Sequence, residues 1–164
     1  MRASPALRPD VVVPTGIVPL RGYREWALWR DERGPRLRSL FHPTVWPDDG
    51  HLIAACLRPL VWRGGSGDEH MHVPDALCEC GIYAFREPEF DTLRGAEGPK
   101  ARGLVEGWGR FVLGTSGWRC QFASVAALLV DEDDPETSRS LGHRYHVPVL
   151  DSLDLPSAVP ALGA

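Results

Sequence analysis

The residues best suited to chemistry lie in one short segment, from His70 to Cys80. Its eleven residues contain two histidines, His70 and His72, and two of the four cysteines in the chain, Cys78 and Cys80. Thiolate sulfur and imidazole nitrogen are ligands that zinc prefers, and three cysteines with one histidine form an accepted tetrahedral set. With Cys56 as a third sulfur, the sequence predicts a candidate zinc site formed by Cys56, Cys78, Cys80 and either His70 or His72.

A single residue separates the two cysteines of this segment. In a β-strand, side chains two positions apart project to the same face, so Cys78 and Cys80 can reach one ion. The chain lacks the C-x-x-C pair of standard zinc fingers. An alternative therefore stays open, in which Cys56 and Cys80 are small buried hydrophobic residues and the histidines are solvated on a glycine-rich loop.

A second chemistry for the same residues is a reactive thiol. A histidine close to Cys78 or Cys80 would favour the thiolate, which is the nucleophilic form of cysteine. Nucleophilic catalysis also needs an orienting third group and an oxyanion site, and the sequence contains no recognisable signature for either. A thiol- or metal-dependent enzyme that uses Cys78/Cys80 and His70 or His72 is therefore the alternative to a non-enzymatic protein.

Length and composition indicate one globular domain. The 164 residues are 43% hydrophobic and 24% charged, which is sufficient for a packed core. The net charge of −4 argues against general nucleic-acid binding. No apolar run approaches the roughly 20 residues needed to span a bilayer, so no membrane partner is expected. Four cysteines without a secretory segment favour reduced thiols or metal ligands, and a cytoplasmic location.

The clearest secondary structure is a β-hairpin around Thr115 and Ser116. The alternation of residues predicts strands from Leu104 to Leu113 and from Trp118 to Val125, and it makes Cys120 a thiol of the core. The predicted cross-strand pairs on the apolar face are Leu113 with Trp118, Phe111 with Cys120, and Gly109 with Phe122. The mixed face carries a candidate binding surface formed by Trp108, Arg110 and Arg119. The alternative, which we favour, is that another strand or the helix predicted at Glu87–Leu93 covers Trp108 and closes a barrel.

The remaining pattern predicts a β-rich α+β fold, with a curved, mostly antiparallel sheet or small barrel and one or two short helices. Residues 1–20 are expected to form an extended tail, residues 21–130 one globular domain, and residues 131–164 an acidic loop, a short helix and a Pro/Ala-rich tail. Further predicted elements are a hairpin of Tyr23–Trp29 and Leu37–Phe41 with a loop of about five residues, a short strand His51–Leu57, an element at Ile82–Phe85, and helices at Glu87–Leu93 and Thr137–His146.

Three segments together resemble a group of uncharacterised bacterial proteins that is frequent in actinomycetes. They are the segment from Cys78 to Ala84 (C-E-C-G-I-Y-A), the segment from Val105 to Arg110, and the G-W-R segment that begins at Gly117. In that group a C-x-C-G-I-Y-A segment precedes a V-x-G-x-V-x-x-W-G / G-[YW]-R-A hairpin, and a Y-x-x-W strand lies upstream. The resemblance covers roughly residues 21–130 and implies no activity. This chain departs from the group at Cys120, where alanine is common, and in the spacing of the histidine before the proline.

These observations predict a small cytoplasmic, non-enzymatic module that binds a protein or small-molecule partner and is stabilised by a Cys/His zinc site. The enzyme described above is one alternative. A structural subunit of a complex, with Trp108 buried against its partner, is another.

Overall fold

A computed structural model describes residues 11–56, 72–88 and 98–151. In this part of the chain, seven strands form one curved sheet and a single helix packs against it. The elements in chain order are β1 (Val11–Asp31), β2 (Gly34–Arg38), β3 (His51–Ile53), β4 (Ile82–Phe85), β5 (Lys100–Leu113), β6 (Gly117–Leu129), α1 (Pro135–Tyr145) and β7 (Val149–Leu150). The predicted fold class, a β-rich α+β domain with a curved, mostly antiparallel sheet, is confirmed. None of the described residues forms a helix long and apolar enough to cross a bilayer.

Four strands form a closed circuit of hydrogen-bonded pairs. β1 pairs with β5, β5 with β6, β6 with β4, and β4 returns to β1 through the pair Tyr23 and Phe85. β2 extends the sheet beyond β1, and β3 and β7 pair with β6, β7 in parallel. The pairing of β1 with β5 and that of β5 with β6 contain register shifts, and bulges of this kind increase the local twist of a strand.

The hairpin of β5 and β6 has the predicted turn and two of the three predicted pairs. Phe111 lies opposite Cys120 and Leu113 opposite Trp118. The prediction that Gly109 faces Phe122 is wrong, because a bulge between Trp108 and Phe111 places Trp108 there instead. Gly109 has a φ of +82°, a left-handed conformation that glycine adopts without the steric cost of a side chain.

The extended tail predicted for residues 1–20 is too long. β1 already begins at Val11, and it pairs with β5 over most of its length. The irregularities in this pairing lie between Val13 and Gly16 and between Gly16 and Leu20, and each interval contains a proline. Proline has no N–H for the ladder, so it is tolerated at such bulges. The prolines suggested a tail in the sequence, but in the structure they interrupt a strand only locally.

Several predicted elements are present with altered limits. The first hairpin has a two-residue turn rather than five, since Asp31 pairs with Gly34. The strand predicted for His51–Leu57 ends at Ile53, and that predicted for Ile82–Phe85 is confirmed as β4. The helix predicted at Glu87–Leu93 lies mostly outside the described residues.

The C-terminal helix forms where it is predicted and belongs to the globular domain. Pro135 begins α1, and the Asp134 side chain accepts a hydrogen bond from the Thr137 amide, 3.1 Å away. Leu141 and Tyr145 are buried in the core, and the Tyr145 hydroxyl accepts the Leu37 amide at 3.0 Å. Together with the pairing of β7 on β6, these contacts show that residues 135–150 are part of the core structure and not of a tail.

One large cluster of buried hydrophobic residues forms most of the core. Trp118 belongs to it and is in edge-to-face contact with Phe111, with ring centroids 5.5 Å apart. Its ring lies so close to β5 that a Cβ at Gly107 would be 2.6 Å from it. Other buried residues of the same cluster are Trp26, Leu37, Trp46, Ile82, Val105, Cys120, Ala123 and Leu128.

Candidate metal centre

The segment that precedes β4 folds as a compact turn around Asp75. The Asp75 carbonyl accepts the Cys78 amide at 3.2 Å, and the Asp75 carboxylate accepts the Leu77 amide at 2.8 Å. Aspartate is favoured at the first position of such turns because its short side chain bonds the backbone two residues on. Pro74, just before it, is fully buried. The turn therefore has a defined shape, which fixes the positions from which the Cys78 and Cys80 side chains project.

Three cysteines converge at this turn. The sulfurs of Cys56, Cys78 and Cys80 all lie within 4.8 Å of one another, and those of Cys56 and Cys78 are 3.8 Å apart. Tetrahedral ligation with zinc–sulfur bonds of about 2.3 Å requires neighbouring sulfurs to be about 3.8 Å apart. The cysteine group could therefore hold a metal ion with little movement of the chain.

Cys56 belongs to a different segment of the chain, which follows β3, and its sulfur reaches the turn from there. Beyond the last paired residue of β3, the Ala54 amide still bonds the Gln121 carbonyl of β6 at 2.8 Å. This bond holds the chain against β6 at Ala54, two residues before Cys56. The three sulfurs thus come from two segments that are both attached to β6, one through β3 and one through β4.

The sulfur of Cys80 has a backbone partner as well. It accepts the Asp75 amide at 3.5 Å, a contact that stabilises a thiolate more than a thiol. Burial nevertheless dominates and raises the pKa of Cys80 to about 11, and the neighbouring Cys78 and Cys56 add to the rise. Cys80 on its own is thus a protonated thiol at neutral pH. A divalent cation would displace its proton, because the thiolate is the ligand form.

Two side chains from the sheet hold the turn in place. Arg119 of β6 donates from Nη1 to the carbonyls of Asp75 and Cys80, at 2.9 and 2.7 Å. Tyr83, which lies opposite Arg119 in β4, donates its hydroxyl to the Glu79 carbonyl at 2.6 Å. Sequence reasoning missed both roles. The alternation in β6 only indicated that Arg119 and Cys120 point to opposite faces, which does not reveal what Arg119 contacts.

The predicted histidine ligand is not settled by the geometry. His72 is exposed, and among the described residues the close group contains only the three cysteines. His70 lies outside the described residues. The choice between His70 and His72 therefore stays a prediction.

Cys120 is a thiol of the core, as predicted. It is fully buried opposite Phe111, and its thiol donates to the Phe122 carbonyl at 3.0 Å. Burial, opposed in part by the charge of Arg24, raises its pKa to about 12. This cysteine is separate from the three that converge.

The predicted binding surface of Trp108, Arg110 and Arg119 does not form as one exposed face. Arg119 is only 6% exposed, because its guanidinium is directed to the cysteine turn. Trp108 is half-buried, stacked on Phe122 with ring centroids 6.0 Å apart. Assigning Arg119 to an exposed face was wrong. Alternation along a strand separates the two faces of a sheet, but it does not show which parts are covered by loops.

No family model matches the chain, and comparisons with curated proteins and with solved structures also gave no match.

Proposed function

We propose that this protein is a small non-enzymatic module of the cytoplasm that binds zinc through Cys56, Cys78 and Cys80 and uses the resulting rigid turn to bind a protein or small-molecule partner. The observation that carries the proposal is the convergence of the three sulfurs, with Cys56 and Cys78 at the separation that tetrahedral ligation requires.

Zinc is the metal that best matches this set of ligands. Soft thiolates select zinc, copper(I) or iron–sulfur clusters, and three cysteines with one histidine are an accepted ligand set for structural zinc. His70 or His72 is the proposed fourth ligand. The ion would link the chain after β3 to the turn before β4, and its binding free energy would add to the stability of the folded domain, because the unfolded chain offers no preformed site.

The turn presents an apolar side chain to solvent. Leu77, directly before Cys78, is 93% exposed although it lies in a turn with well-defined hydrogen bonds. A rigid turn that displays a large apolar residue is a suitable anchor for a partner, since anchor residues lose little entropy on binding. This exposure supports a binding role for the metal-stabilised turn.

The state of the thiols favours the module over the thiol enzyme. A cysteine nucleophile needs a lowered pKa, usually from a nearby cation or histidine. Burial instead raises the pKa of Cys80, and among the described residues no histidine joins the cluster. Ligation of a structural ion has no such requirement, because the ion itself drives deprotonation.

The test is the metal content of the protein and of matched cysteine variants. Protein purified under reducing conditions without chelator should contain about one zinc per chain by elemental analysis. Cys56→Ser and Cys78→Ser should each lose most of this zinc, whereas Cys120→Ala should keep it, because Cys120 is outside the cluster. Wild-type protein without near-stoichiometric zinc or iron would contradict the proposal, as would equal zinc loss in Cys120→Ala.

A stability measurement on the same variants separates the module from the enzyme. If the protein is a zinc-stabilised module, Cys78→Ser should lower both the melting temperature of the domain and its zinc content. If the protein is a thiol enzyme, the same substitution should leave the melting temperature unchanged and remove an activity.

A further inference from the structure

Arg119 is a buried arginine that donates two hydrogen bonds to the cysteine turn. It is 6% exposed, and its Nη1 atom lies 2.9 Å from the Asp75 carbonyl and 2.7 Å from the Cys80 carbonyl. Burial of a guanidinium is costly unless its charge and its donors are compensated. A position inside the protein with two carbonyl partners is therefore a specific arrangement and not an incidental surface contact.

The two carbonyls belong to the two ends of the ligand-bearing turn. Asp75 opens the turn, since its carbonyl also accepts the Cys78 amide and its own amide bonds the Cys80 sulfur. Cys80 closes it. One guanidinium thus fixes both ends of the turn against β6, and with them the positions from which the Cys78 and Cys80 side chains project.

The surroundings leave Arg119 little freedom. Its guanidinium lies over the Tyr83 ring, 6.0 Å from the centroid, and Tyr83 itself bonds the Glu79 carbonyl. Next to the turn, Gly81 has a φ of +122°, and a Cβ there would lie 3.0 Å from the Pro74 Cβ and 3.2 Å from the Arg119 Cβ. Gly81 therefore lets the chain pass from the turn into β4 directly beside Arg119.

The charge of Arg119 also suits a metal-loaded cluster. Three thiolates and one divalent ion carry a net charge of −1, and the guanidinium bonded to the turn that bears two of these thiolates has the complementary sign. Groups that orient and balance ligands in this way typically change metal affinity by about 10- to 100-fold when they are removed.

We propose that Arg119 is the positioning residue of the metal site: by holding the Asp75 and Cys80 carbonyls it sets the geometry of the Cys78 and Cys80 sulfurs and thereby the affinity for the ion. This inference rests on the proposed zinc-binding function. It gives Arg119 a role in the site although the residue binds no metal itself.

The experiment compares zinc affinity, measured by competition with a chromophoric chelator, in wild type and in Arg119→Gln, Arg119→Lys and the control Arg110→Gln. We expect Arg119→Gln to bind zinc about 10- to 100-fold more weakly. Lysine keeps the charge but lacks the planar guanidinium group with its several N–H donors. Arg119→Lys should therefore bind zinc more tightly than Arg119→Gln but more weakly than wild type. Arg110 lies in β5, and no contact among the described residues joins it to the turn, so Arg110→Gln should leave the zinc affinity unchanged.

A spectroscopic readout separates positioning from general stability. The cobalt(II) form of wild type should show the thiolate charge-transfer and ligand-field bands of a tetrahedral sulfur site, and saturated Arg119→Gln should show altered bands. If Arg119→Gln does not fold, the zinc affinity of Arg119→Lys tests the role of Arg119. We then expect this variant to bind zinc at least about threefold more weakly than wild type.

Each result has a distinct consequence. A folded Arg119→Gln that binds zinc within twofold of wild type, with an unchanged cobalt spectrum, overturns the role of Arg119 and leaves the zinc site in place. If Arg119→Gln does not fold, wild-type affinity in Arg119→Lys overturns it in the same way. A wild type that binds no zinc overturns the proposed function, and the role of Arg119 with it.

Discussion

The sulfurs of Cys56 and Cys78 lie 3.8 Å apart although 22 positions separate the two residues in the chain. The pairing of β3 and β4 with the same strand, β6, accounts for this proximity. The sheet thus brings together two segments that the sequence alone leaves unconnected. The sulfurs they carry lie at the separation that tetrahedral zinc–sulfur ligation requires.

Zinc should stabilise the domain by an amount that rises with the logarithm of the zinc concentration once the site is saturated. With free zinc at 100 times the dissociation constant, the free energy of unfolding should rise by about 2.7 kcal/mol, because the ion binds the folded chain preferentially. Chemical denaturation with and without zinc measures this difference. Cys56→Ser should abolish most of the increase, and Cys120→Ala should retain it. An equal increase in both variants would show that zinc acts elsewhere.

Cys120 should be the least reactive of the cysteines in the folded protein. Burial holds its pKa at about 12, so its thiolate fraction at pH 8 is negligible and reagents cannot reach it. Alkylation of the reduced, metal-free protein with iodoacetamide, followed by peptide mass mapping, should leave Cys120 unmodified until denaturant is added. Modification of Cys120 at the same rate as Cys56 in the native state would contradict the core assignment.

Arg144 should make the stability dependent on acid pH through two aspartates. Its guanidinium bonds Asp31 at 2.7 Å and Asp48 at 2.9 Å, and these hydrogen bonds lower the pKa of Asp31 to about 2 and lower that of Asp48 as well. A lowered acid pKa stabilises the fold above the unfolded value of about 4, and this contribution is lost as the pH falls through the folded value.

Asp31→Asn should therefore lower the melting temperature at pH 7, and its difference from wild type should shrink between about pH 4 and pH 2. Thermal melts across this range measure the effect. As a control, Glu132→Gln removes an exposed acid that is not among the described partners of Arg144, and it should give no such pH-dependent difference. A constant difference between Asp31→Asn and wild type down to pH 2 would argue against this ion pair.

Gly107 should not tolerate a side chain. A Cβ at this position would lie 2.6 Å from the Trp118 ring and 2.8 Å from the Cys120 sulfur, well inside van der Waals contact. Gly107→Ala should lower the free energy of unfolding by about 1–3 kcal/mol, the usual range for overpacking a core. Urea denaturation measures the loss. The double variant Gly107→Ala/Trp118→Phe should lose less than the sum of the single variants, and strict additivity would contradict the contact.

The strand content and part of the site could be predicted from the sequence, because both depend on local patterns. The alternation around Thr115 and Ser116 predicts β5 and β6, and the residue types at Cys56, Cys78 and Cys80 indicate shared ligation. The bulge at Gly109 could not be predicted, since an extra residue in one strand leaves the hydrophobic pattern of its neighbours nearly unchanged.

The role of Arg119 was also beyond the sequence. Its partners are backbone carbonyls of a turn more than 35 positions away in the chain, and a carbonyl has no signature of its own in a sequence. The same holds for residues 11–20, whose prolines are typical of a tail. Only the ladder with β5 shows that the chain accommodates them as irregularities of a strand.

The most direct test of the metal site is X-ray absorption at the zinc edge of the purified, zinc-loaded protein. We predict three sulfur neighbours at about 2.3 Å and one nitrogen or oxygen neighbour at about 2.0 Å. In Cys78→Ser the number of sulfur neighbours should fall. A spectrum that contains only nitrogen and oxygen neighbours would contradict the account, because the three converging cysteines would then not be the ligands.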